Sequence, residues 1–171
     1  MTSNELSNLK NKEILVTGGC GFIGSEIVKQ LSQIGASVTI IDNLSSGKEK
    51  YIQGLSNVKL ITADLLDDDA VKSAVKDKEY VINNAALPFI PDSYYIPKKF
   101  FDVNVNATIS LALSVIKEKK VKRFVHISSS EIYGTAKYVP MDENHRTTPQ
   151  STYAVSKLAG ERVVFTMHKE H

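Results

Sequence analysis

Short apolar runs alternate with helical patterns along most of the chain. Five runs are apolar without alternation, which is typical of strands buried on both faces of a parallel sheet. These runs are residues 14–17, 38–41, 58–61, 80–82 and 123–127. Helical stretches separate most of them, so the pattern predicts an α/β fold with a doubly wound parallel sheet.

A helical pattern follows the first strand, and these two elements together mark the start of the folded domain. Its apolar positions recur on one side of a helix, and Gly35 follows them as a stop signal. The apolar positions are Ile23, Ile27, Val28, Leu31 and Ile34. With 171 residues the chain has room for one domain with a substantial core. We expect a polar tail over residues 1–12 and a single domain over residues 13–171.

Two later segments give less regular signals. Residues 87–99 contain three prolines, Pro88, Pro91 and Pro97, and predict an ordered loop rather than a helix. Residues 103–116 are apolar on nearly all sides, so a helix there needs cover on more than the sheet side. The pattern favours a homodimer through helices around 103–117 and 152–168, and cover by a further domain is the alternative.

Composition excludes several classes of function. The formal charge is only +2 and no segment gathers basic residues into a stripe, so we expect no nucleic-acid partner. The longest apolar runs are far below the roughly 20 residues of a membrane span, and the N-terminus has no signal-peptide pattern. The lone Cys20 predicts a reducing, cytoplasmic setting. The four histidines show no ligand spacing, so no metal site is expected.

Three glycines lie directly between the first strand and the first helix. Gly18, Gly21 and Gly24 there provide a tight turn, a close approach for a ligand, and close packing of helix on strand. Backbone N–H groups at a helix N-terminus bind phosphate, and the amides of Phe22 and Ile23 fall at that end. The loop therefore predicts a diphosphate cradle, and a glycine-rich turn without a ligand is the alternative.

Acidic residues after the second and third strands predict the nucleoside end of the site. Asp42 follows Gly24 by 18 positions, close to the offset of about 20 at which a carboxylate meets adenosine ribose. An adenosine 2′-phosphate would be repelled by this carboxylate, and Asn43 offers no positive charge. The pattern favours NAD over NADP. Asp64 and Leu65 are expected beside the adenine, with a helix cap as the alternative for Asp64.

The candidate chemistry lies in the last third of the chain. Tyr153 and Lys157 are four residues apart, which places them on one face of a helix. A lysine so close lowers the pKa of a tyrosine and lets it accept a proton near neutral pH. A solvated helix face explains the same spacing. The serines at 128–130 follow the fifth strand, where hydroxyls reach the ligand-binding edge of a sheet or act as caps.

Together these motifs resemble the extended short-chain dehydrogenase/reductase family, in particular its NAD-dependent sugar-nucleotide epimerases and dehydratases. The resemblance runs from about residue 14 to residue 165 and implies a Rossmann domain. It rests on the glycine loop, Asp42, Asp64-Leu65, Asn84-Ala85-Ala86, Asn104, residues 128–134 and residues 153–161. It implies that Asn84, Ala85, Ala86 and Asn104 also belong to the cofactor site.

The resemblance also implies catalytic roles. Tyr153 is then the acid/base, Lys157 binds the nicotinamide ribose, and Ser129, four residues before Tyr133, holds the reacting hydroxyl. Related dehydratases have Asp-Glu where this chain has Ser130-Glu131, a pairing that resembles some decarboxylases and epimerases. The implied reaction is a transient oxidation of the sugar at C4, followed by epimerisation, elimination or loss of carbon dioxide.

The resemblance further implies a substrate lobe beyond residue 171. On that basis residues 13–171 form an incomplete NAD-binding domain, truncated before the substrate lobe, with weak or no activity alone. Two other functions stay open at this point. One is a non-catalytic dinucleotide-binding module, and the other is an NADP-dependent reductase of the same family, against which Asp42 argues.

Overall fold

The computed structural model describes residues 7–171, in which strands and helices alternate as predicted. The strands are β1 (Glu13–Thr17), β2 (Ser37–Asp42), β3 (Val58–Thr62), β4 (Tyr80–Asn83) and β5 (Arg123–His126). The α-helices are α1 (Phe22–Gln33), α2 (Asp68–Val75), α3 (Ile90–Tyr95), α4 (Pro97–Phe101), α5 (Ala107–Lys117) and α6 (Thr152–Glu170). A π-helical turn (Asp102–Asn106) joins α4 to α5, and a 3₁₀ turn (Ser130–Tyr133) follows β5.

The five strands form one parallel sheet in the order β3-β2-β1-β4-β5. The chain therefore builds outward from β1 in one direction and from β4 in the other. In such sheets, ligands bind outside the carboxyl ends of the strands at the boundary where the direction changes. That boundary lies between β1 and β4, where Thr17 pairs with Asn83.

Each face of the sheet has its own apolar layer. Ile14 and Val16 of β1 pack with Val28 of α1 on one face. Leu15 points to the other face and packs with a cluster that includes Leu111 of α5. Because successive side chains of a strand point to opposite faces, this division requires cover on both sides. The predicted doubly wound α/β fold is confirmed.

Glycine and proline mark helix ends in this fold. Gly35 has φ +82° just after α1, where its N–H donates to the Ser32 carbonyl at 3.0 Å. The prediction of a loop over residues 87–99 was wrong, because α3 and α4 both lie within or begin in that range. Pro91 and Pro97 each occupy the first turn of a helix, where no N–H is needed and the fixed φ favours helix.

The apolar segment after α4 is covered on one side only. Ala107 and Leu111 are buried, whereas Leu113 and Ile116 stay 43% and 37% exposed. In residues 7–171, Pro97–Lys117 is the one helical stretch whose length and composition would suit a membrane span. Phe100 and Leu111 on this stretch are buried in the domain, as expected for a core helix. Leu113 and Ile116 thus leave part of the apolar surface of this helix exposed.

The start of the predicted polar tail, residues 1–6, lies outside the described residues. The rest of that tail lies against the domain. Leu9 belongs to a 3₁₀ turn (Ser7–Leu9) and packs on the α1 core, while the Asn11 N–H donates to the Gly35 carbonyl at 2.9 Å. Backbone contacts therefore join this stretch to the end of α1.

Candidate cofactor and catalytic site

A groove of about 550 Å³ lies at the carboxyl edge of the sheet, above the β1–β4 boundary. One end is formed by Asp42 and Asp64, the middle by the loop after β1, and the other end by Tyr153 and Lys157 of α6. The loop after β1 and the Tyr153–Lys157 pair are more than a hundred positions apart in the chain. The fold thus brings the predicted diphosphate loop and the predicted Tyr–Lys pair into one continuous groove.

The three glycines of the loop have three different surroundings. Gly18 has φ +64°, and a Cβ there would lie 2.8 Å from the Ala85 Cα. A Cβ on Gly21 would meet only the Gly18 carbonyl oxygen, at 3.3 Å, and would otherwise extend into the groove. Gly24 does not line the groove, since it packs against the Gly18 carbonyl and the Asn84 side chain. Gly18 therefore provides the turn, Gly21 the open approach and Gly24 the close packing.

The N-terminus of α1 is open to an anion. Its N-cap residue, Gly21, has no side chain to cap the helix, and the first turn contains no carboxylate. Phe22 and Ile23 line the groove at this end. A helix N-terminus carries a partial positive charge and unpaired N–H groups, which together favour phosphate.

Thr17 fixes the opposite wall of the groove. Its hydroxyl oxygen accepts the N–H groups of Asn84 at 3.1 Å and Ala85 at 3.0 Å, and its proton is donated to Asn83 Oδ1 at 2.8 Å. Asn84, Ala85 and Ala86 all line the groove. Sequence reasoning missed Thr17, although a hydroxyl residue directly before the glycine loop was the available signal.

At the nucleoside end, Asp42 is 9% exposed and is held by two backbone N–H groups. These come from Cys20 at 2.9 Å and Leu44 at 2.8 Å, one to each carboxylate oxygen. Each oxygen can still accept a further bond from the groove. Burial and the neighbouring Asp42 charge raise the pKa of the Cys20 thiol to about 11. Cys20 is therefore a protonated packing residue beneath the loop.

Asn43, Asp64 and Leu65 lie on the same end of the groove. Asn43 Nδ2 donates to Asp64 Oδ2 at 2.8 Å, and the other Asp64 oxygen accepts the Leu66 N–H at 2.9 Å. The N-cap of α2 is Asp67, not Asp64. Asp64 is thus fixed by a turn and by Asn43, with its carboxylate at the groove.

At the other end, α6 presents Tyr153 and Lys157 to the groove. Ser151 caps this helix by accepting the Ala154 N–H at 3.0 Å, and the Tyr153 ring packs edge-on against Phe100 at 6.4 Å between centroids. Lys157 is 3% exposed and its Nζ donates to the Ile127 carbonyl at 2.5 Å. Burial lowers the pKa of Lys157 to about 8, and the Glu161 charge opposes that change.

The three serines at 128–130 have different surroundings at this end of the groove. Ser128 lines the groove, with its hydroxyl donated to Glu161 Oε2 at 2.7 Å. Ser129 caps the following 3₁₀ turn by accepting the Glu131 N–H at 3.2 Å, and it does not line the groove. Ser130 and Glu131 are exposed. Sequence reasoning selected Ser129 and passed over Ser128, whose signal was its place directly beside the end of β5.

Asn104 lies beneath the groove wall rather than in it. It is 1% exposed, and its Oδ1 accepts the Leu87 N–H at 2.9 Å. Its Nδ2 donates to the Leu87 carbonyl at 3.3 Å and to Ser156 Oγ at 2.9 Å. The π-helical turn thus joins the loop after β4 to α6.

His126 ends β5 below Lys157 in an uncharged state. Thr108 donates its proton to the Asn104 carbonyl, so it must accept from Asn83 Nδ2, at 3.1 Å. The same Asn83 nitrogen lies 3.1 Å from His126 Nδ1, which therefore accepts, and the ring proton lies on Nε2. Burial and the Lys157 charge lower the pKa of His126 to about 4. Nε2 is buried and has no hydrogen-bond partner within residues 7–171.

Comparison with known proteins agrees with this geometry. The family model for GDP-mannose 4,6 dehydratase matches residues 15–171. A protein of Methanocaldococcus jannaschii that is assigned as a UDP-glucose 4-epimerase is 39% identical over 153 residues, which are 88% of this chain and 49% of that protein. The match covers nearly all of this chain and about half of the relative.

Solved structures give the same result. A UDP-N-acetylglucosamine 4-epimerase from Methanobrevibacter ruminantium, in complex with UDP-N-acetylmuramic acid, is 37% identical with a TM-score of 0.88, over 94% of this chain and 51% of that one. A UDP-glucose 4-epimerase from Brucella ovis, in complex with NAD, is 28% identical with a TM-score of 0.83, over 89% and 46%. The chain spans about half the length of the relatives it matches. It belongs to the GDP-mannose 4,6 dehydratase family, within the epimerase and dehydratase group of the extended short-chain dehydrogenases.

Proposed function

We propose that this chain is the cofactor-binding and acid/base part of an NAD-dependent enzyme that oxidises a sugar nucleotide transiently at C4. The observation that carries the proposal is the single groove that joins an open helix N-terminus to the Tyr153–Lys157 pair. A diphosphate over α1 would leave the two ends of a dinucleotide at Asp42 and at Tyr153. Relatives that are sugar-nucleotide 4-epimerases support the substrate class.

The residues present fit NAD. Gly21 leaves open space where a side chain would block a diphosphate, and the first turn of α1 offers its N–H groups without a competing carboxylate. Asp42 would accept hydrogen bonds from the adenosine ribose hydroxyls. A 2′-phosphate would place up to two negative charges against this buried carboxylate, which favours NAD over NADP.

The chemistry of this chain is proton transfer. Tyr153 would accept the proton of the C4 hydroxyl, and the Lys157 ammonium would stabilise the phenolate and bind the nicotinamide ribose. When bound, NAD supplies the hydride acceptor for the carbon that carries this hydroxyl. Ser129 accepts the Glu131 N–H and has no acceptor for its own proton within residues 7–171, so this proton could serve the reacting oxygen if the side chain turned toward the groove that it does not line here. Return of that same hydride to the opposite face of the sugar ketone, with the proton given back by Tyr153, would complete an epimerisation.

We favour epimerisation over elimination as the outcome. Related dehydratases have Asp-Glu in the turn after β5, whereas this chain has Ser130-Glu131, both exposed. A serine supplies no general acid for the loss of water near neutral pH. Elimination and loss of carbon dioxide are the competing outcomes of the same ketone.

The proposal includes a homodimer through α5 and α6 and a reducing, cytoplasmic setting that suits the buried Cys20 thiol. Leu113, Ile116, Val155 and Phe165 are each more than a third exposed on these two helices. Phe165→Asp should convert a dimer to a monomer in sedimentation velocity, because a carboxylate would be desolvated in the interface. Val139→Asp, at a position 81% exposed in a loop, is the matched control and should leave the dimer intact. A wild-type monomer at all concentrations would overturn this part.

Calorimetric titration of the purified chain with NAD and NADP tests the cofactor. We expect NAD to bind at least about tenfold more tightly, since a ribose hydroxyl is favoured at Asp42 and a phosphate is repelled. Because the chain alone is expected to have weak or no activity, turnover is tested in a protein that joins it to a substrate lobe, by incubation with UDP-sugars and NMR of the products. Stronger binding of NADP would contradict the cofactor, and NAD binding without turnover would favour a non-catalytic module.

A further inference from the structure

Glu161 of α6 contacts Ser128, a residue of the groove wall, from the side that faces away from the groove. It lies one turn after Lys157 on the same helix face and next to Gly160. A Cβ on Gly160 would lie 2.7 Å from the Asn104 carbonyl oxygen and 3.5 Å from His126 Nε2. Only glycine allows α6 to approach β5 and the π-helical turn so closely, and this approach brings Glu161 to the end of β5.

The two carboxylate oxygens of Glu161 have different partners. Oε2 accepts the Ser128 proton at 2.7 Å, and Oε1 lies 3.9 Å from Arg162 Nε on the outer side. The side chain is 31% exposed and lines a separate cavity of about 350 Å³. This exposure lets the carboxylate stay charged without the desolvation that a fully buried acid would suffer.

The bond to Glu161 determines what Ser128 offers to the groove. A hydroxyl has one proton and two lone pairs, and here the proton is committed to the carboxylate. Ser128 therefore presents lone pairs to a ligand, whereas Ser129 has its proton available. The adjacent serines thus have opposite polarity.

Glu161 is also the anion that offsets the burial of Lys157. Lys157 is 3% exposed and its Nζ donates to the neutral Ile127 carbonyl. Its neighbours with charge or titratable groups are Tyr153 and Glu161 on α6, His126 on β5, and Lys99 and Asp102 on the far wall of the groove. His126 supplies no compensating charge, because its imidazole is neutral and, if protonated, would carry the same sign as the ammonium.

We propose that Glu161 is a positioning residue that orients the Ser128 hydroxyl in the groove and keeps the Lys157 ammonium charged. The inference rests on the proposed function for its catalytic meaning, because it concerns the protonation of the lysine beside Tyr153. Without this anion Lys157 would lose its proton at lower pH, and Tyr153 would lose the positive charge that stabilises its phenolate.

NMR titration of the lysine side-chain ¹⁵Nζ and ¹³Cε signals in the ligand-free chain tests the proposal. Lys157 is assigned by the loss of its signal in Lys157→Arg. The wild-type midpoint should lie near pH 8. Glu161→Gln should lower it by about 0.5–1 unit because an opposite charge is removed. Glu161→Asp keeps the charge and should return the midpoint most of the way to wild type.

Two further variants separate the effect of the position of the Glu161 carboxylate from a general disturbance of the fold. Ser128→Ala leaves Glu161 charged but removes the hydrogen bond that holds it beside the groove. The Lys157 midpoint in this variant should therefore fall between those of wild type and Glu161→Gln. Arg162→Gln removes the cation on the outer side and should give a midpoint at or slightly above wild type. An unchanged midpoint in Glu161→Gln, or equal shifts in Glu161→Gln and Arg162→Gln, would overturn the proposal. Since no cofactor is added, failure of NAD binding would count against the proposed function alone.

Discussion

The two ends of the groove are built in different ways. The diphosphate and nucleoside end consists mainly of backbone N–H groups and glycines from one local stretch, residues 18–24, together with the ends of β2 and β3. The catalytic end consists of side chains from β5, the following turn and α6, joined by hydrogen bonds such as Ser128 to Glu161 and Lys157 to the Ile127 carbonyl. On the proposed function, binding would depend on the shape of the first end, and chemistry on the protonation of a few side chains at the second.

This difference predicts that damage at one end leaves the other end working. A change in the glycine loop should abolish cofactor binding whatever the state of Tyr153. A change at Tyr153 should abolish turnover and leave binding nearly intact. Substitutions at both ends therefore test whether the division is real.

The largest effect is expected from Tyr153→Phe. In a protein that includes a substrate lobe, removal of the phenolic proton acceptor should lower turnover of a UDP-sugar by about 10²–10⁴-fold, the usual contribution of general acid/base catalysis. NAD affinity, measured by calorimetry, should stay within about threefold of wild type, because the ring and its contact with Phe100 remain. Loss of NAD binding with turnover intact would reverse the roles of the two ends.

The second effect compares two glycines of one loop. Gly24→Ala should reduce NAD affinity by about 100-fold and destabilise the fold by about 1–3 kcal/mol, because its Cβ would meet the Gly18 carbonyl. Gly21→Ala should also reduce NAD affinity but leave the unfolding midpoint close to wild type, since its Cβ enters the groove. Equal losses of stability in the two variants, measured by denaturant unfolding, would show that Gly21 has no special place at the groove.

The third effect concerns the nucleoside end. Asp42→Asn removes the charge and keeps the shape of the side chain, although its single amide oxygen can accept only one of the Cys20 and Leu44 N–H groups. The preference for NAD over NADP should fall by about tenfold, the equivalent of about 1.4 kcal/mol. Competition between the two dinucleotides in a binding assay measures this ratio directly. An undiminished preference would mean that Asp42 does not contact the ribose.

A separate effect, on stability rather than on the cofactor, is a pH dependence that originates below the catalytic end. The folded-state pKa of His126 is about 4, below its ordinary value of 6.5, so the unfolded chain binds the proton more tightly. His126 therefore adds no pH dependence above pH 6.5, and the free energy of unfolding should fall by about 1 kcal/mol per unit between pH 6.5 and pH 4.

A pair of variants isolates this contribution. His126→Gln should flatten the slope between pH 6.5 and pH 4. His168→Gln, at an exposed position near the end of α6, should keep it. Urea unfolding at each pH gives the comparison, and the same slope in both variants would show that His126 is protonated in the folded state.

The same contrast explains what the sequence could reveal. The strands, Gly35, the glycine loop and Asp42 are local signals whose meaning follows from neighbouring residues, and all were predictable. The roles of Thr17, Ser128 and Glu161 depend on partners 33 or more positions away, so the local signals at Thr17 and Ser128 could not reveal what these side chains bind. Pro91 and Pro97 were misleading because proline marks both a loop and the first turn of a helix.

The most direct test of the central claim is a crystal structure of the chain grown with NAD. We predict that the diphosphate lies over the N-terminus of α1 at Gly21 to Ile23, the adenosine ribose beside Asp42, and the nicotinamide beside Tyr153 and Lys157. Density for NAD elsewhere on the protein, or a nicotinamide turned away from Tyr153, would contradict the claim that this groove joins binding to chemistry.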